Sequence, residues 1–357
     1  MSDDHDDPAL LEERKIDHLR LCNEERVEAR ERTTLLEDVW LLHDSLPELD
    51  VDAIDLSVPF LGRRLPTPLM ISGMTGGAKE AARVNRILAE VAQSRGLAFG
   101  VGSQRAMLRD PALTHTYAVR DVAPDIFLCG NIGVVQAAAC SSQELADLVG
   151  VIGADALCIH LNPGQEIVQD HGDRDFRGGL DALRRAVEDL AVPVIAKETG
   201  CGLGPSTLRR LASCGVAAVD VSGSGGTTWV GVEALRSRTH RQRIGDVLWD
   251  WGIPTAASLL YARREGFPTI ASGGLRDGLD MAKALALGAS LASAALPWLR
   301  AAMSGGRDGA LQCADTLLDT LRAVCLLTGS RDLLQLQGCP RRIGPHLRRW
   351  LADDDVP

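Results

Sequence analysis

The segment Asp155–Asp175, DALCIHLNPGQEIVQDHGDRD, decides how the rest of the chain is interpreted. Residues 155–159 form a short aliphatic run without polar alternation, which is typical of a strand buried on both faces of a parallel sheet. The run stops abruptly at a set of polar side chains. Pro163-Gly164 lies inside this set and predicts a break in regular structure. We therefore interpret the segment as a buried strand followed by a polar loop.

The polar loop offers an imidazole, two amides and a carboxylate within seven positions: His160, Asn162, Gln165 and Glu166. A polar loop after a strand is often no more than a solvated loop. In a barrel of alternating strands and helices, however, the carboxyl ends of the strands carry the chemistry. The functional interpretation gains weight because several other strand ends in this chain also carry polar or glycine-rich residues.

Short apolar runs alternate with segments of helical pattern along most of the chain. The eight runs are Pro68–Ser72, Leu97–Val101, Ile126–Gly130, Ala156–His160, Pro193–Lys197, Ala217–Val221, Thr269–Gly273 and Leu291–Ala295. Helical patterns between them include Asn85–Ser94, Gln143–Ile152, Leu180–Leu190, Ser206–Ser213 and Gly278–Leu287. This alternation predicts an α/β fold, a (β/α)8 TIM barrel with an N-terminal helical extension and C-terminal helices.

The segments outside the alternation complete the domain prediction. Residues 1–8 are acidic and poor in apolar residues, so we expect disorder there, and residues 9–351 are expected to form a single domain. Three more segments are assigned by pattern: a helix from Pro8 to about Arg30, a connecting layer over 34–66, and helices over 298–351. The long connection 222–268 predicts either a functional lid or extra helices.

The composition is that of an ordinary enzyme. The formal net charge of -10 argues against a nucleic-acid partner, because polyphosphate binding needs a basic surface. The nine cysteines include no CxxC pair, which indicates reduced thiols rather than a zinc site or disulfide framework. The N-terminus does not have the pattern of a signal peptide, and no window reaches roughly 18 consecutive apolar residues. We expect a cytoplasmic protein without a membrane span.

Glycine-rich loops follow the sixth and seventh predicted strands, at Ser222–Thr227 (SGSGGT) and Ser272–Arg276 (SGGLR). Glycine leaves backbone N–H groups accessible, and the late loops of a barrel can bind a phosphomonoester at a helix N-terminus. A single Gly-Gly pair is most often a turn, but two such loops at successive strand ends predict a phosphate site. Thr227 or Thr228 is expected to cap the helix that follows.

Lys197 ends the apolar run PVIAK, where burying an ammonium group is costly without a counter-charge or a ligand. One interpretation is a structural ion pair with Glu198 or Glu166. The other places Lys197 at the N1 to C2 carbonyl edge of a flavin, where a cation stabilises the anionic reduced ring.

The predicted N-terminal helix carries three basic residues that could contact an anion, Arg14, Lys15 and His18. The alternative is a solvated helix face on which nearby acidic residues balance their charge. The pattern of this helix alone does not decide between the two interpretations.

Seven motifs occur in one order between about residue 14 and about residue 297. They are Arg14-Lys15-Ile16-Asp17-His18, Met74-Thr75-Gly76-Gly77, Gly102-Ser103-Gln104-Arg105, His160-Leu161-Asn162 with Gln165-Glu166, Lys197-Glu198, Ser224-Gly225-Gly226-Thr227 and Ser272-Gly273-Gly274. In this order they resemble the type 2 isopentenyl diphosphate isomerases. Other flavin barrels share the glycine loops, whereas the combination of RKxDH, GSQR and HLNxxQE is specific.

The resemblance implies an isomerase of isoprenoid biosynthesis that interconverts isopentenyl and dimethylallyl diphosphate. It implies reduced FMN as acid/base cofactor, Mg²⁺ at the diphosphate and NADPH as the source of reduction. The FMN contacts that it implies are Gly73, Met74, Thr75, Ser103, Asn131, Lys197, Ser222, Thr227, Gly273, Gly274, Arg276, Ala294 and Ala295. Gly73 stands where many relatives have alanine, a small-for-small change.

The resemblance also assigns the substrate side of the site. The residues implied to contact the substrate are Arg14, Lys15, His18, Arg105, His160, Asn162 and Gln165, and Glu166 is implied to bind Mg²⁺. A diphosphate favours charge-assisted donors, which the basic residues of this set would supply. Mg²⁺ prefers oxygen ligands and often takes one carboxylate plus phosphate and water. Gln165 is neither a strong acid nor a strong base, so as a catalytic residue it is expected to orient the substrate or relay a proton.

Two other classes of protein remain open. An FMN-dependent oxidoreductase of the hydroxyacid oxidase or dihydroorotate type would use the same barrel and phosphate loops, but would leave the RKxDH helix without a purpose. A non-catalytic flavin-binding protein would not need the Gln165-Glu166 pair. Because the N-terminal helix could cap its own barrel or that of a neighbour, we expect a homo-oligomer, a tetramer or an octamer.

Overall fold

The computed structural model describes residues 8–352, with side chains from Glu13 onward. The sequence predicts disorder over residues 1–8, and residues 1–7 of this segment lie outside the described residues. The helices are α1 Pro8–Glu24, α2 Lys79–Arg95, α3 Arg105–Arg109, α4 Val134–Ala139, α5 Ser142–Ile152, α6 Pro163–Val168, α7 Gly179–Asp189, α8 Pro205–Cys214, α9 Trp229–Arg236, α10 Arg241–Val247, α11 Thr255–Arg264, α12 Gly278–Ala286, α13 Leu296–Leu327, α14 Leu333–Gly338 and α15 Pro345–Ala352.

The strands are short and fall into one barrel and two small pairs. They are β1 Val39–Leu41, β2 Val58–Phe60, β3 Arg63–Leu65, β4 Leu69–Ile71, β5 Ala98–Gly100, β6 Leu128–Gly133, β7 Ala156–Leu161, β8 Val194–Glu198, β9 Ala218–Asp220, β10 Thr269–Ala271, β11 Leu291–Ala294 and β12 Arg341–Ile343. Within the described residues, β4 to β11 are parallel and close into an eight-stranded barrel in sequence order. The predicted (β/α)8 barrel and all of its predicted strands are confirmed.

The barrel strands are buried on both faces, which explains why their sequences are continuous apolar runs. Their parallel register aligns the strand ends in rows. His160 on β7 lies opposite Lys197 on β8, which lies opposite Asp220 on β9. The polar residues that end these apolar runs therefore meet at one rim of the barrel.

Helix α6 contradicts the predicted break at Pro163-Gly164, because the helix begins at Pro163. Proline is tolerated in the first turn of a helix, where its missing N–H would have no intrahelical partner. This short helix carries Gln165 and Glu166 at the rim of the barrel. Helix α1 is also shorter than predicted, because it ends at Glu24 rather than near Arg30.

The segments outside the barrel contain structure that the sequence pattern did not reveal. The connecting layer over 34–66 contains the antiparallel pair β2–β3 and strand β1, which pairs with β12 near the C-terminus. The connection 222–268 contains extra helices, α9 to α11, and Trp249 in it is buried, whereas Trp251 is exposed. Within the described residues, no helix is both long and apolar enough to cross a membrane.

Gln104, from the GSQR motif, is a structural residue of the barrel wall. Its side chain is fully buried, accepts a hydrogen bond from Asn131 N at 2.8 Å and donates one to Leu148 O at 3.0 Å. It therefore joins β6 to α5 and fixes the backbone of Asn131.

Replacing Gln104 with alanine should lower the free energy of unfolding by roughly 2–4 kcal/mol, because two buried backbone groups lose their partner. Thermal unfolding followed by circular dichroism measures this loss. The matched control is Gln143→Ala on α5, where the amide is exposed and contacts only Asp147. Equal melting temperatures for the two variants would contradict the structural role.

Candidate active site at the barrel mouth

A cavity opens at the carboxyl ends of the barrel strands. Every residue that the sequence analysis assigned to cofactor, substrate or metal lines this cavity, including the three basic residues of α1. The cavity also contains residues that the analysis did not assign, among them Cys22, Gln136, Gln169, Trp229 and Ser272. The structure thus brings the assigned residues together, while their individual roles stay predictions.

The two glycine loops pack directly against each other on one side of the cavity. A Cβ atom on Gly226 would overlap with the backbone of Gly274, and Gly274 itself has a φ of 80°, which favours glycine. Thr228 caps the following helix α9, because its hydroxyl accepts a hydrogen bond from Gly231 N at 3.2 Å. The predicted cap is confirmed. The two loops, called the glycine cradle below, lie beside the N-terminus of α9 and contribute Gly273 and Gly274 to the cavity wall.

The chain after α1 pairs with this cradle. Thr228 N donates to Val27 O at 2.9 Å and Ala29 N donates to Gly226 O at 2.8 Å. Glu28 between them forms an ion pair with Arg300 at 3.1 Å and lies 3.9 Å from Arg276 of the cavity wall. These contacts hold the C-terminal end of α1 at the glycine cradle and set the helix across the cavity.

The residues present fit an FMN group. Thr75 Oγ1, which belongs to the cavity wall, is buried and has no hydrogen-bond partner among the described residues. Buried polar atoms are rarely left without a partner in proteins. Together with Gly273 and Gly274 in the cavity wall, this hydroxyl group indicates that a polar ligand completes this side of the cavity.

Lys197 has a structural partner, but the partner is neither Glu198 nor Glu166, as the sequence suggested. Its ammonium lies 2.6 Å from Asp220 Oδ2, and Asp220 Oδ1 accepts a hydrogen bond from the Ser272 hydroxyl. Burial lowers the pKa of Lys197, but the attraction of Asp220 outweighs burial and the net pKa is raised. Lys197 therefore stays protonated at neutral pH.

His160 is held in one tautomer by Asn131. The Asn131 amide nitrogen donates to Val101 O at 3.1 Å, so its oxygen faces His160 Nδ1 at 2.9 Å and Nδ1 carries the proton. Burial first, and then the nearby cations, lower the pKa of His160 to about 3. His160 is thus neutral and presents an unprotonated Nε2, so it is not one of the cationic donors that the sequence analysis expected.

Glu166 lies in the wall of the cavity with its carboxylate held in place. Asn162 Nδ2 donates to Oε1 at 2.8 Å and Asp173 N donates to Oε2 at 2.7 Å. Burial raises the pKa of Glu166, so this carboxylate gains from a neighbouring cation. Among residues 13–352, no cluster of three or more His, Cys, Asp or Glu could hold a metal by itself. A metal at Glu166 would need further ligands of other kinds, such as phosphate oxygens or water.

Glu233 on α9 is a buried residue beside the cavity that the sequence analysis did not assign. Its carboxylate is 1% exposed, and Oε1 lies 2.8 Å from His18 Nε2 and accepts a hydrogen bond from Gln165 Nε2 at 3.0 Å. Burial raises the pKa of Glu233, but His18, Gln165 and Arg14 outweigh burial, and the net pKa is lowered. A glutamate inside the apolar run VGVEAL was the one signal available in the sequence.

Gln169 extends this cluster to the N-terminal helix. With its amide nitrogen donating to Glu233 Oε1 at 3.2 Å, its oxygen accepts a hydrogen bond from Arg14 at 2.9 Å. One buried carboxylate therefore connects α1, α6 and α9.

Lys15 is buried among cations. Burial, followed by repulsion from Arg14 and Arg105, lowers the pKa of Lys15 to about 7. The pKa of Arg14 is lowered as well, chiefly by burial. This concentration of positive charge favours an anion in the cavity, and the alternative of a solvated helix face is wrong for Lys15, which is 9% exposed.

The comparisons with known proteins agree with this geometry. The family model for FMN-dependent dehydrogenases matches residues 160–339. Among solved structures, a lactate oxidase from Pediococcus acidilactici superposes with a TM-score of 0.69 at 15% identity, over 95% of this chain and 94% of its own. A mandelate oxidase superposes with a TM-score of 0.63 at 15% identity, over 91% of this chain and 95% of its own. At this identity the two oxidases show the fold alone.

The fold and the site thus define a flavin barrel of the FMN-dependent dehydrogenase class. An isopentenyl-diphosphate delta-isomerase from Pyrococcus abyssi is 45% identical over 348 residues, which are 95% of this chain and 94% of the relative. One from Methanosarcina mazei is 43% identical over 343 residues, 95% of this chain and 93% of the relative. The chain belongs to the isopentenyl-diphosphate delta-isomerase family, and the resemblance to its type 2 branch is confirmed.

Gly226→Ala should raise the dissociation constant for FMN by about tenfold or more, because the added methyl group forces the two glycine loops apart. Quenching of flavin fluorescence on titration with the protein measures the constant. Gly150→Ala is the matched control, because nothing lies within 4 Å of an added methyl group there. An unchanged constant in Gly226→Ala would rule out the loops as the phosphate cradle.

Proposed function

We propose that the protein interconverts isopentenyl and dimethylallyl diphosphate without net oxidation, with reduced FMN as cofactor and Mg²⁺ at the diphosphate. One observation carries the proposal: glycines of the proposed phosphate cradle line the same cavity as two basic residues of α1, Arg14 and Lys15, and the carboxylate of Glu166. The relatives named isopentenyl-diphosphate delta-isomerase support it over nearly the full chain.

The N-terminal helix supplies the charge that a diphosphate requires. Arg14 and Lys15 lie in the cavity wall with Arg105, whose guanidinium is 3.5 Å from Asp173. Charge-assisted hydrogen bonds to ionised groups contribute roughly 1.5–3 kcal/mol each. A bound diphosphate would also relieve the repulsion among these cations, so binding and protonation of Lys15 reinforce each other.

Glu166 is the proposed protein ligand of Mg²⁺. Its raised pKa and its fixed orientation suit a carboxylate that is completed by a cation. Mg²⁺ is usually bound through one or two carboxylates together with phosphate oxygens and water. Its chemistry there would be charge neutralisation of the diphosphate.

The hydrogen-bonded set Gln165, Glu233 and His18 is proposed to handle protons beside the cofactor. Moving a double bond requires one proton to be added and another removed. The chemistry that reduced FMN supplies when bound is proton transfer at N5. Gln165 lies in the cavity wall, and its bond to the buried Glu233 fixes the direction of its amide. Gln165 thereby orients the substrate or passes a proton. Glu233 balances the positive charge of the nearby Arg14.

The remaining assignments of the family are proposed with the activity. NADPH is the proposed reductant of the flavin, and the protein is proposed to act in the cytoplasm as a homo-oligomer, a tetramer or octamer. All nine cysteines lie within the described residues and all are free thiols, which suits a reducing compartment.

The test of the activity is anaerobic. Purified protein with FMN and Mg²⁺ receives isopentenyl diphosphate, with and without dithionite or NADPH, and dimethylallyl diphosphate is measured. Product in large excess over the flavin, formed only with reductant, establishes the isomerase. Substrate oxidation in proportion to flavin reduction would instead favour the oxidoreductase of the hydroxyacid oxidase or dihydroorotate type. An absence of product with bound, reduced FMN would refute the isomerase.

Gln165→Asn and Gln165→Ala should each lower turnover by about 100-fold or more, because both lose the 3.0 Å bond to Glu233 and the position of the amide. Initial rates under reducing conditions measure the effect, and the dissociation constant for FMN should stay within about twofold of wild type. Loss of FMN from both variants would reject a role for Gln165 in the chemistry. Gln143→Asn, on the exposed face of α5, controls for the loss of a methylene group.

The affinity for the diphosphate should fall as pH rises above 7. Lys15 is already protonated below its pKa of about 7, so binding there needs no proton. Above that pH Lys15 must take up a proton when the anion binds. This weakens binding by up to about tenfold per pH unit, until the pH reaches the pKa of Lys15 in the complex. Calorimetric titration between pH 6 and about pH 9 measures the profile.

Lys15→Arg separates this effect from the ionisation of the diphosphate itself. Arginine keeps its charge throughout this range, so the variant should lose the part of the pH dependence that belongs to Lys15. Identical pH profiles for wild type and variant would show that Lys15 does not titrate on binding.

A further inference from the structure

Asp220 is a buried charge that the proposed chemistry leaves without a role. Its carboxylate is 1% exposed, stands behind the cavity wall and contacts two residues of that wall, Lys197 and Ser272. We propose that Asp220 is a positioning residue that fixes the Lys197 ammonium at the cofactor and offsets part of its charge. Asp220 thereby limits how much more tightly the protein binds reduced than oxidised FMN. The inference rests on the FMN-dependent function proposed above.

The geometry leaves the Lys197 ammonium little freedom. Lys197 and Asp220 lie opposite each other in the register of β8 and β9, and Ser272 follows the next strand, β10. One carboxylate oxygen accepts from Lys197 at 2.6 Å and the other accepts from the Ser272 hydroxyl. Three successive strand ends thus fix both oxygens of the carboxylate, and with them the position of the ammonium.

Asp220 is the acidic group that balances Lys197. Glu198 is adjacent in sequence, but neighbouring residues of a strand point to opposite faces. Its carboxylate accepts hydrogen bonds from Gly200 N at 2.6 Å and Gly202 N at 2.9 Å, where it holds the loop after β8. The pair of Lys197 with Asp220 is therefore a compact dipole, with its positive end in the cavity wall.

The charges of Lys197 and Asp220 act differently on the oxidised and the reduced cofactor. The oxidised flavin ring is neutral, whereas the reduced ring carries a negative charge when its N1 position is deprotonated. A buried positive charge nearby favours the reduced form, and a buried negative charge disfavours it, because interactions are stronger where water is excluded. When Asp220 is removed, the anionic reduced ring takes its place as the counter-charge that keeps Lys197 protonated. Removing Asp220 and removing Lys197 should therefore have opposite effects.

The experiment compares Asp220→Asn, Lys197→Ala and the double variant. The dissociation constants of oxidised FMN and of dithionite-reduced FMN are measured under anaerobic conditions, and the midpoint potential of the bound flavin provides an independent readout. The ratio of the oxidised to the reduced constant should rise about tenfold in Asp220→Asn, equivalent to about 30 mV more positive for a two-electron couple. The ratio should fall in Lys197→Ala and lie between the two single variants in the double variant.

Two further variants test for a merely structural role. Asp220→Glu keeps the carboxylate and should return the ratio to near the wild-type value. Ser272→Ala removes a contact of Asp220 without changing the charge, so it should change both dissociation constants by the same factor. If Asp220→Asn fails to fold, the double variant can still be compared with Lys197→Ala, because it leaves no unpaired buried charge. Its ratio of dissociation constants should be higher than that of Lys197→Ala.

The outcomes separate the inference from the proposed function. Ratios that stay equal in all variants, or that fall in both single variants, overturn the role of Asp220 even if the wild-type protein is an active isomerase. The predicted order of ratios in a protein without isomerase turnover would support Asp220 and refute the proposed function. A wild-type protein that binds neither form of FMN would overturn both.

Discussion

Closure of the parallel barrel is the constraint on which the site depends. Parallel strands in register place their carboxyl ends at the same rim, so residues far apart in sequence become neighbours. His160, Lys197 and Asp220 occupy one row of this rim, although more than 30 positions separate the first two. The backbone of the rim is fixed by buried residues such as Gln104, and the chemistry of the site depends on this rigidity.

Exclusion of water explains how the charges at the rim are arranged. The site holds charged groups that are nearly inaccessible to solvent, and each carboxylate is held by donors from other elements. Glu233 joins α1, α6 and α9 through its hydrogen bonds, and Asp220 joins three successive strand ends. On the N-terminal helix, by contrast, burial first and then repulsion from nearby cations lower the pKa of Lys15 and of Arg14. The protein alone is electrostatically incomplete on the side assigned to the anionic substrate.

The segment after α1 joins the two halves of the site. Its backbone pairs with the first glycine loop at Val27 and Ala29, and Glu28 contacts Arg300 and approaches Arg276. The glycine cradle and the helix that carries Arg14 and Lys15 are therefore parts of one wall. Glycine at position 226 lets the loop approach both the peptide at Ala29 and the second glycine loop closely.

The sequence by itself determined the barrel and its strands, because these depend on local patterns of apolar runs and glycine loops. The order of its motifs, through the resemblance to a family, indicated many of the residues that line the cavity. The sequence failed where partners are distant. Nothing local predicts that Lys197 pairs with Asp220 rather than with Glu198, that Glu233 lies beside Gln165, or that β1 pairs with β12 about 300 positions away. Only the tertiary structure decided which charges are neutralised, because the pKa of a buried group depends on the atoms around it rather than on its neighbours in sequence.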